Sequence, residues 1–317
     1  MDEPRIVFMG TTSFSVTILR ALIEKGHNIV AAVTQPDRPT GRKRVLTPPP
    51  VKIAAESYGI PVLQPARIRD QESHVAIRRV EPTLLITAAY GQILPEALLS
   101  LPIHGALNVH ASLLPKRRGG APIQRAILEG DSVTGVTVMN MVKAMDAGGM
   151  WGKVYIPIDQ QMTYGELQDL LAEKGAELLV DLLPLILDKS IVARPQDDTL
   201  ATFSPVLTRA DEQLDFTQNA QRVAQQIRAL APRPGAYTQM GDKVLKIWYA
   251  TVESRVDGTE QPGTVIELTE KGPRIACKNG TIIAESLQLE GKVIQSGREF
   301  QQGQRNLLGT QFKVIAK

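Results

Sequence analysis

An α/β fold with a mostly parallel, Rossmann-like sheet is what the first half of this 317-residue sequence predicts, with a smaller β-rich domain behind it. Three observations carry that reading. Residues 5–160 alternate short apolar strands with helical stretches, the pattern of a parallel sheet covered on both faces. At Lys189–Pro205 the periodicity stops, in a stretch holding Pro195, Asp197, Asp198, Thr199 and Pro205 that reads as a linker. Beyond it, short strand candidates are broken by Gly241-Asp242, Gly258, Gly263, Gly272, Asn279-Gly280 and Gly291, the spacing of a small barrel or sandwich. The domains are therefore drawn as 1–188, a linker at 189–205, and 206–317.

Taken in order, the apolar run Ile6–Met9 opens the sheet directly after the acidic start Met1-Asp2-Glu3-Pro4-Arg5. Gly10-Thr11-Thr12-Ser13-Phe14 then leads into the helix Phe14–Lys25, with Ser13 read as its N-cap. A dinucleotide-binding turn needs G-x-G-x-x-G at this place and only Gly10 is present, which argues against NAD. The strand Ile29–Thr34 runs into Gln35–Pro50, a Pro/Gly-rich connection of sixteen residues, far longer than most strand-to-helix loops. Pro50 and Pro122 stand where a first-turn proline is tolerated, ahead of helices at Val51–Tyr58 and Ile123–Glu129. Strands at Pro61–Leu63, Leu84–Ala88, Ala106–His110, Val133–Asn140 and Lys153–Pro157 complete the sheet, with a further helix at Glu72–Val80. Thr163–Leu187 is a long apolar-periodic helix that would pack back on the sheet, and Ala220–Leu230 is a helix of the second domain.

Composition bounds the function. The chain is 43% apolar and 22% charged, as an ordinary globular protein is. Its single cysteine, Cys277, can form no intrachain disulfide and no metal cluster, and its setting in Arg274-Ile275-Ala276-Cys277 suits a buried apolar role. No secretory h-region and no stretch long enough to span a bilayer is present, so a cytoplasmic protein with no membrane partner is expected; it is also expected to be a monomer that binds no metal. The net charge is +3; residues 206–317 carry 15 Lys and Arg against 12 Asp and Glu, and residues 1–205 are balanced. That bias permits nucleic-acid binding without demanding it. The local clusters say more: Arg38, Arg42, Lys43 and Arg44 crowd the long connection, and Lys116, Arg117 and Arg118 follow the strand Ala106–His110. A charge run is ordinarily solvated surface, but these could also contact phosphates.

Asn108 and His110 are the residues with the most chemistry. They close the strand Gly105-Ala106-Leu107-Asn108-Val109-His110, and residues two apart on a strand point to one face. The carboxyl end of a strand is where open α/β sheets bind their ligands. Asp146 follows the strand Val133–Asn140 in the loop Met145-Asp146-Ala147-Gly148-Gly149. Singly, each residue has an ordinary explanation: a satisfied buried histidine, an asparagine before a turn, an Asp-Gly turn. Together, an amide donor, a proton carrier and a carboxylate on neighbouring strand ends suit acyl-type transfer through a tetrahedral intermediate. Ser112 is the nearest nucleophile, but it lacks a G-x-S-x-G elbow.

The stretches Asn108-Val109-His110-Ala111-Ser112-Leu113-Leu114-Pro115, Arg118-Gly119-Gly120-Ala121-Pro122-Ile123, Thr134-Gly135-Val136-Thr137 and Asp146-Ala147-Gly148 resemble the folate-dependent formyltransferases. Thr34-Gln35-Pro36-Asp37-Arg38-Pro39-Thr40-Gly41-Arg42, Ala89-Tyr90-Gly91-Gln92-Ile93-Leu94-Pro95 and Pro234-Gly235-Ala236-Tyr237 narrow the resemblance to the bacterial methionyl-tRNA formyltransferases, over nearly the whole chain. It implies an OB-like barrel for 206–317 and formyl transfer from 10-formyltetrahydrofolate to initiator methionyl-tRNA. It assigns catalysis to Asn108, His110 and Asp146, and folate contacts to Ser112, Leu113, Leu114, Pro115, Tyr90, Gln92, Ile93 and Leu94. Arg38, Arg42, Lys43, Arg44, Arg117 and Arg118 become tRNA contacts, because the corresponding loop of that family enters the acceptor-stem region. Thr12, Gly149 and Arg233 depart from the family's usual residues. The rival readings are a relative that formylates a small amine or a sugar nucleotide or hydrolyses the donor, and a catalytically silent RNA-binding relative.

Overall fold

A computed structural model describes residues 3–41, 44–253 and 260–313. The chain forms two compact units: Met1–Pro122 with Val133–Pro157 and Gln168–Pro205, and Val206–Lys317 with Ile123–Ser132 and Ile158–Leu167.

In the first unit the elements run β1 (Ile6–Gly10), α1 (Ser13–Glu24), β2 (Ile29–Val33), β3 (Arg38–Thr40), β4 (Val45–Thr47), α2 (Pro50–Ser57), β5 (Val62–Leu63), α3 (Gln71–Arg79), β6 (Leu84–Ala88), α4 (Glu96–Leu99) and β7 (Ala106–His110). After α5 (Pro122–Glu129), which apart from Pro122 belongs to the second unit, come β8 (Val133–Asn140), β9 (Met150–Pro157) and the long α6 (Tyr164–Leu187), whose residues up to Leu167 also belong to the second unit. The seven-stranded sheet has the order β5-β2-β1-β6-β7-β8-β9, parallel from β5 to β7 and antiparallel at β8 and β9. β1 and β6 are buried along their whole length, which is why they read as unbroken apolar runs instead of alternating ones. On one face Val7, Met9, Leu85 and Ala106 pack against Ile77 of α3 in a core that includes Tyr90 and Leu94. On the other, a side chain at Gly175 of α6 would meet Val109 and Val136, so the glycine lets the helix lie close to β7 and β8. Asn108 and His110 share the Ala106 face, and their strand alternation keeps them off the α6 side.

The strand and helix expectations for this unit are met within a residue or two, apart from an earlier start of β9. Two details differ. Thr12, not Ser13, is the N-cap of α1, in a capping box with Ser15 whose hydroxyl also accepts from the Thr11 N–H and donates to the Ala88 carbonyl. The Gln35–Pro50 connection carries an exposed two-stranded hairpin, β3 with β4, whose base is tied down by Lys52 and Gln64 on Asp37.

The second unit holds α7 (Arg209–Glu212), α8 (Ala220–Leu230), β10 (Ala236–Met240), β11 (Lys243–Glu253), β12 (Val265–Leu268), β13 (Pro273–Ala276), β14 (Thr281–Leu289), β15 (Gln295–Ser296) and α9 (Gly297–Gln302). Its antiparallel order is β10-β11-β14-β13-β12, with β15 on β14. Bridges Gln239↔Lys313 and Thr264↔Gln311 join the chain's end to β10 and to the start of β12, closing the sheet into the expected small barrel. Gly241 and Gly280, both at positive φ, make the turns before β11 and β14. Val223 and Ile227 of α8, Ile247, Ile282, Leu287, Phe300 and Phe312 fill the interior. Arg125 pairs with Asp211 and the Ile127 carbonyl accepts from Gln225, which explains why the 123–132 segment belongs with this unit.

Candidate active site

β6 and β7 set the site. Parallel register places Thr87 beside Asn108, and the Thr87 hydroxyl lies 2.8 Å from Asn108 Oδ1. With the carbonyl end of the amide held, the Asn108 NH₂ group is turned toward the other side as a donor. Asn108 is half-buried, so its amide is reachable. His110 is 7% exposed and ends β7 opposite Thr137 of β8. Its Nε2 lies 3.2 Å from the Arg117 carbonyl, and its Nδ1 lies 3.8 Å from Oδ1 of Asp146. Two acceptors thus flank one ring. Donation to the Arg117 carbonyl puts a proton on Nε2, and Nδ1, too far from Asp146 for a direct hydrogen bond, is the nitrogen left to gain and lose one.

Asp146 lies in the β8–β9 connection at φ +49, in the left-handed region that a non-glycine residue adopts only when its surroundings enforce it. Its Oδ2 accepts from the Gly119 N–H at 2.8 Å. Its carbonyl and that of Gly148 accept from Gln196 Nε2 at 2.7 and 2.8 Å. Gln196 Oε1 in turn accepts from Arg118 Nε and Nη2.

The three residues expected to carry chemistry are therefore brought together. The others divide. In the loop after β7, Ser112 is fully buried with its hydroxyl on the Lys116 carbonyl, and Leu114 is fully buried. Leu113 and Pro115 remain half-exposed. Thr137 fastens this loop by donating to the Ser112 carbonyl and accepting from the Leu114 N–H, and Lys153 donates to the Leu114 carbonyl. Burial holds the Lys153 ammonium below its ordinary range. Beyond β6, Ile93 is 81% exposed. Three more residues expected at the folate site, besides the buried Ser112 and Leu114, turn their side chains elsewhere. Tyr90 and Leu94 belong to the core, where burial pushes the Tyr90 phenol well above its usual range. Gln92 spends its amide on the Ile68 N–H and the Pro65 and Ala66 carbonyls. Their side chains back the wall; Leu113, Pro115 and Ile93 can line it.

Among the basic residues, Arg38 and Arg44 are exposed on the hairpin, and Arg42 and Lys43 lie outside the described residues. Arg117 is half-buried at φ +65, its N–H on the Thr202 hydroxyl. Arg118 is corrected outright. It is 6% exposed, its guanidinium committed to Gln196 and Asp198, and a charge spent this way is not presented to a phosphate. Sequence reading passed over Gln196, Thr202 and Ser204, which lie in the Lys189–Pro205 stretch yet bond to Arg117, Arg118 and Ala121. Nothing in an aperiodic run signals such partners. Of the departures from the family's usual residues, Thr12 caps α1, and Gly149 sits where an added side chain would press on Ala193.

The formyl transferase family matches residues 4–183, and the formyl transferase C-terminal domain matches residues 206–305. The methionyl-tRNA formyltransferase of Halalkalibacterium halodurans is 50% identical over 300 residues, 94% of each chain. That of Bacillus pumilus is 47% identical over 312 residues, 98% of each. Among solved structures, HypX from Aquifex aeolicus in complex with tetrahydrofolic acid gives a TM-score of 0.65 at 18% identity, over 94% of this chain and 47% of that one. The N-formyltransferase from Helicobacter canadensis, in complex with folinic acid and dTDP-3-aminofucose, gives 0.66 at 16% identity, over 89% of this chain and 98% of that one. Those two likenesses concern the fold. By its two family matches and its near-full-length relatives, this chain belongs to the formyl transferase family, among the methionyl-tRNA formyltransferases.

Proposed function

We propose that this protein transfers the formyl group of 10-formyltetrahydrofolate to the amino group of methionyl-tRNA, giving the N-formylmethionyl-tRNA used to start translation. The observation that carries the reading is the meeting of Asn108, His110 and Asp146 at the carboxyl end of β7, with His110 Nδ1 3.8 Å from the carboxylate. Asn108, its oxygen engaged by Thr87, offers its NH₂ to the negative charge that develops on the formyl oxygen. Through Nδ1, with Nε2 held on the Arg117 carbonyl, His110 takes the proton that the attacking amine must lose and returns one to the departing folate nitrogen. Asp146 orients the ring and stabilises the imidazolium formed between those two transfers.

The half-exposed Leu113 and Pro115 in the loop after β7 and the exposed Ile93 in the loop after β6 offer apolar surface that suits a flat heterocycle. Arg38 and Arg44, with Arg42 and Lys43 between them, supply cations for RNA phosphates. Among the described residues no helix is long and apolar enough to cross a membrane, and no group of side chains could hold a metal ion. We place the protein in the cytoplasm as a monomer, with residues 1–188 as the catalytic domain and 206–317 as the tRNA-binding one.

Incubation with formyl-labelled 10-formyltetrahydrofolate and a panel of acceptors tests the reading. Methionyl-tRNA should take up label, while free methionine, a dTDP-linked amino sugar and water should not. Label entering the sugar or released as formate, with none on methionyl-tRNA, would replace this reading by one of its rivals.

A further inference from the structure

Asp146 is held from two directions, and both lead back to the dipeptide Arg118-Gly119. The Gly119 N–H takes Oδ2 of the carboxylate. The Arg118 side chain reaches the same turn through Gln196: its Nε and Nη2 donate to Gln196 Oε1 at 3.2 and 2.8 Å, and Gln196 Nε2 donates to the Asp146 and Gly148 carbonyls. A guanidinium can only donate, so it fixes which way the Gln196 amide faces; the NH₂ must point at the two carbonyls. The turn has little freedom otherwise, since a side chain at Gly148 would run into the Asn140 carbonyl.

Resting on the acid–base reading of Asp146 given above, we propose that Gln196 is a positioning residue for formyl transfer, clamping the Asp146 turn so that Oδ1 faces His110. It touches no reacting atom and acts through the carboxylate. Gln196→Glu separates the two halves of the clamp: the acid still accepts from Arg118 but no longer donates to the two carbonyls, and sets a negative charge against them. Gln196→Met keeps the length and loses both sets of bonds.

The test uses full-length protein, single-turnover formyl transfer to methionyl-tRNA, and calorimetric binding of tetrahydrofolate. Gln196→Glu should lower the transfer rate by about 10–100-fold, the cost of a sub-ångström to ångström misplacement of a catalytic group, with tetrahydrofolate affinity within about twofold of wild type. Gln196→Met should fall in the same direction and decides the matter if the charged variant does not fold. Because Gln196 acts through Asp146, adding Gln196→Glu to Asp146→Asn should cost less than about twofold beyond Asp146→Asn alone. Wild-type rates in both Gln196 variants, a loss that adds in full to that of Asp146→Asn, or a parallel loss of tetrahydrofolate binding would overturn the proposal. If Asp146→Asn itself reacts at the wild-type rate, it is the reading of Asp146 that fails, and the clamp falls with it.

Discussion

The backbone N–H of Gly119 donates to Oδ2 of Asp146 at 2.8 Å, which leaves Oδ1 on the side of His110. Gly119 sits at φ +117, and a Cβ there would overlap the Ser204 carbonyl, so only glycine presents its N–H in this way. Gly119→Ala should therefore lower stability by about 1–3 kcal/mol through backbone strain and also slow transfer, since the carboxylate loses its anchor. Thermal unfolding and single-turnover rates of the variant check both. Full activity would mean that the Gly119 contact does not orient Asp146.

Asn108 is expected to act through its NH₂ group alone, because Thr87 occupies its oxygen. Asn108→Ala should slow the chemical step by about 10²–10³, as loss of one oxyanion donor does. Thr87→Val, which frees the amide to turn without removing it, should cost less than Asn108→Ala. Equal losses would show that Thr87 matters for some other reason, and near-wild-type rates in Asn108→Ala would remove the donor role.

Variants in the β3–β4 connection test recognition apart from chemistry. Neutralising Arg42, Lys43 and Arg44 together should weaken methionyl-tRNA binding and flatten its dependence on salt, by about one unit of slope per lost phosphate contact, with tetrahydrofolate binding unchanged. Affinity measured across a salt series decides it. An unchanged slope would make the hairpin solvated surface.

The sheet was legible because its central strands are buried on both faces, and Ile6–Met9 and Leu84–Ala88 carry that burial as apolar runs with no competing period. The shared strand face of Asn108 and His110 was legible from their spacing of two. The hairpin was not, since every residue of β3 and β4 is exposed and leaves no burial pattern. The barrel's closure rests on isolated bridges made by Gln311 and Lys313, too few residues for any signal. Arg118 misled because charge ordinarily marks surface, while here a buried guanidinium is satisfied by Gln196 and Asp198, some eighty residues on. Tyr90 and Leu94 misled for the opposite reason: in an aperiodic loop, sequence does not say which apolar side chains turn inward.

Cys277 is 7% exposed, and burial pushes its thiol up to about 12. At about pH 8 its thiolate fraction is then about 10⁻⁴, and a disulfide reagent should label the folded protein orders of magnitude more slowly than the denatured chain. Labelling time courses with and without denaturant measure this. Rapid modification of the folded protein would contradict the packing of the second unit's core around this residue.

On the proposed mechanism, His110 moves the proton during formyl transfer. The most direct test is the single-turnover rate from 10-formyltetrahydrofolate to methionyl-tRNA in wild type and in His110→Ala, both shown to be folded and to bind tetrahydrofolate. The rate should fall by about 10²–10⁴ in the variant, the usual share of a general acid–base group. A folded His110→Ala protein that transfers formyl at the wild-type rate would contradict the account.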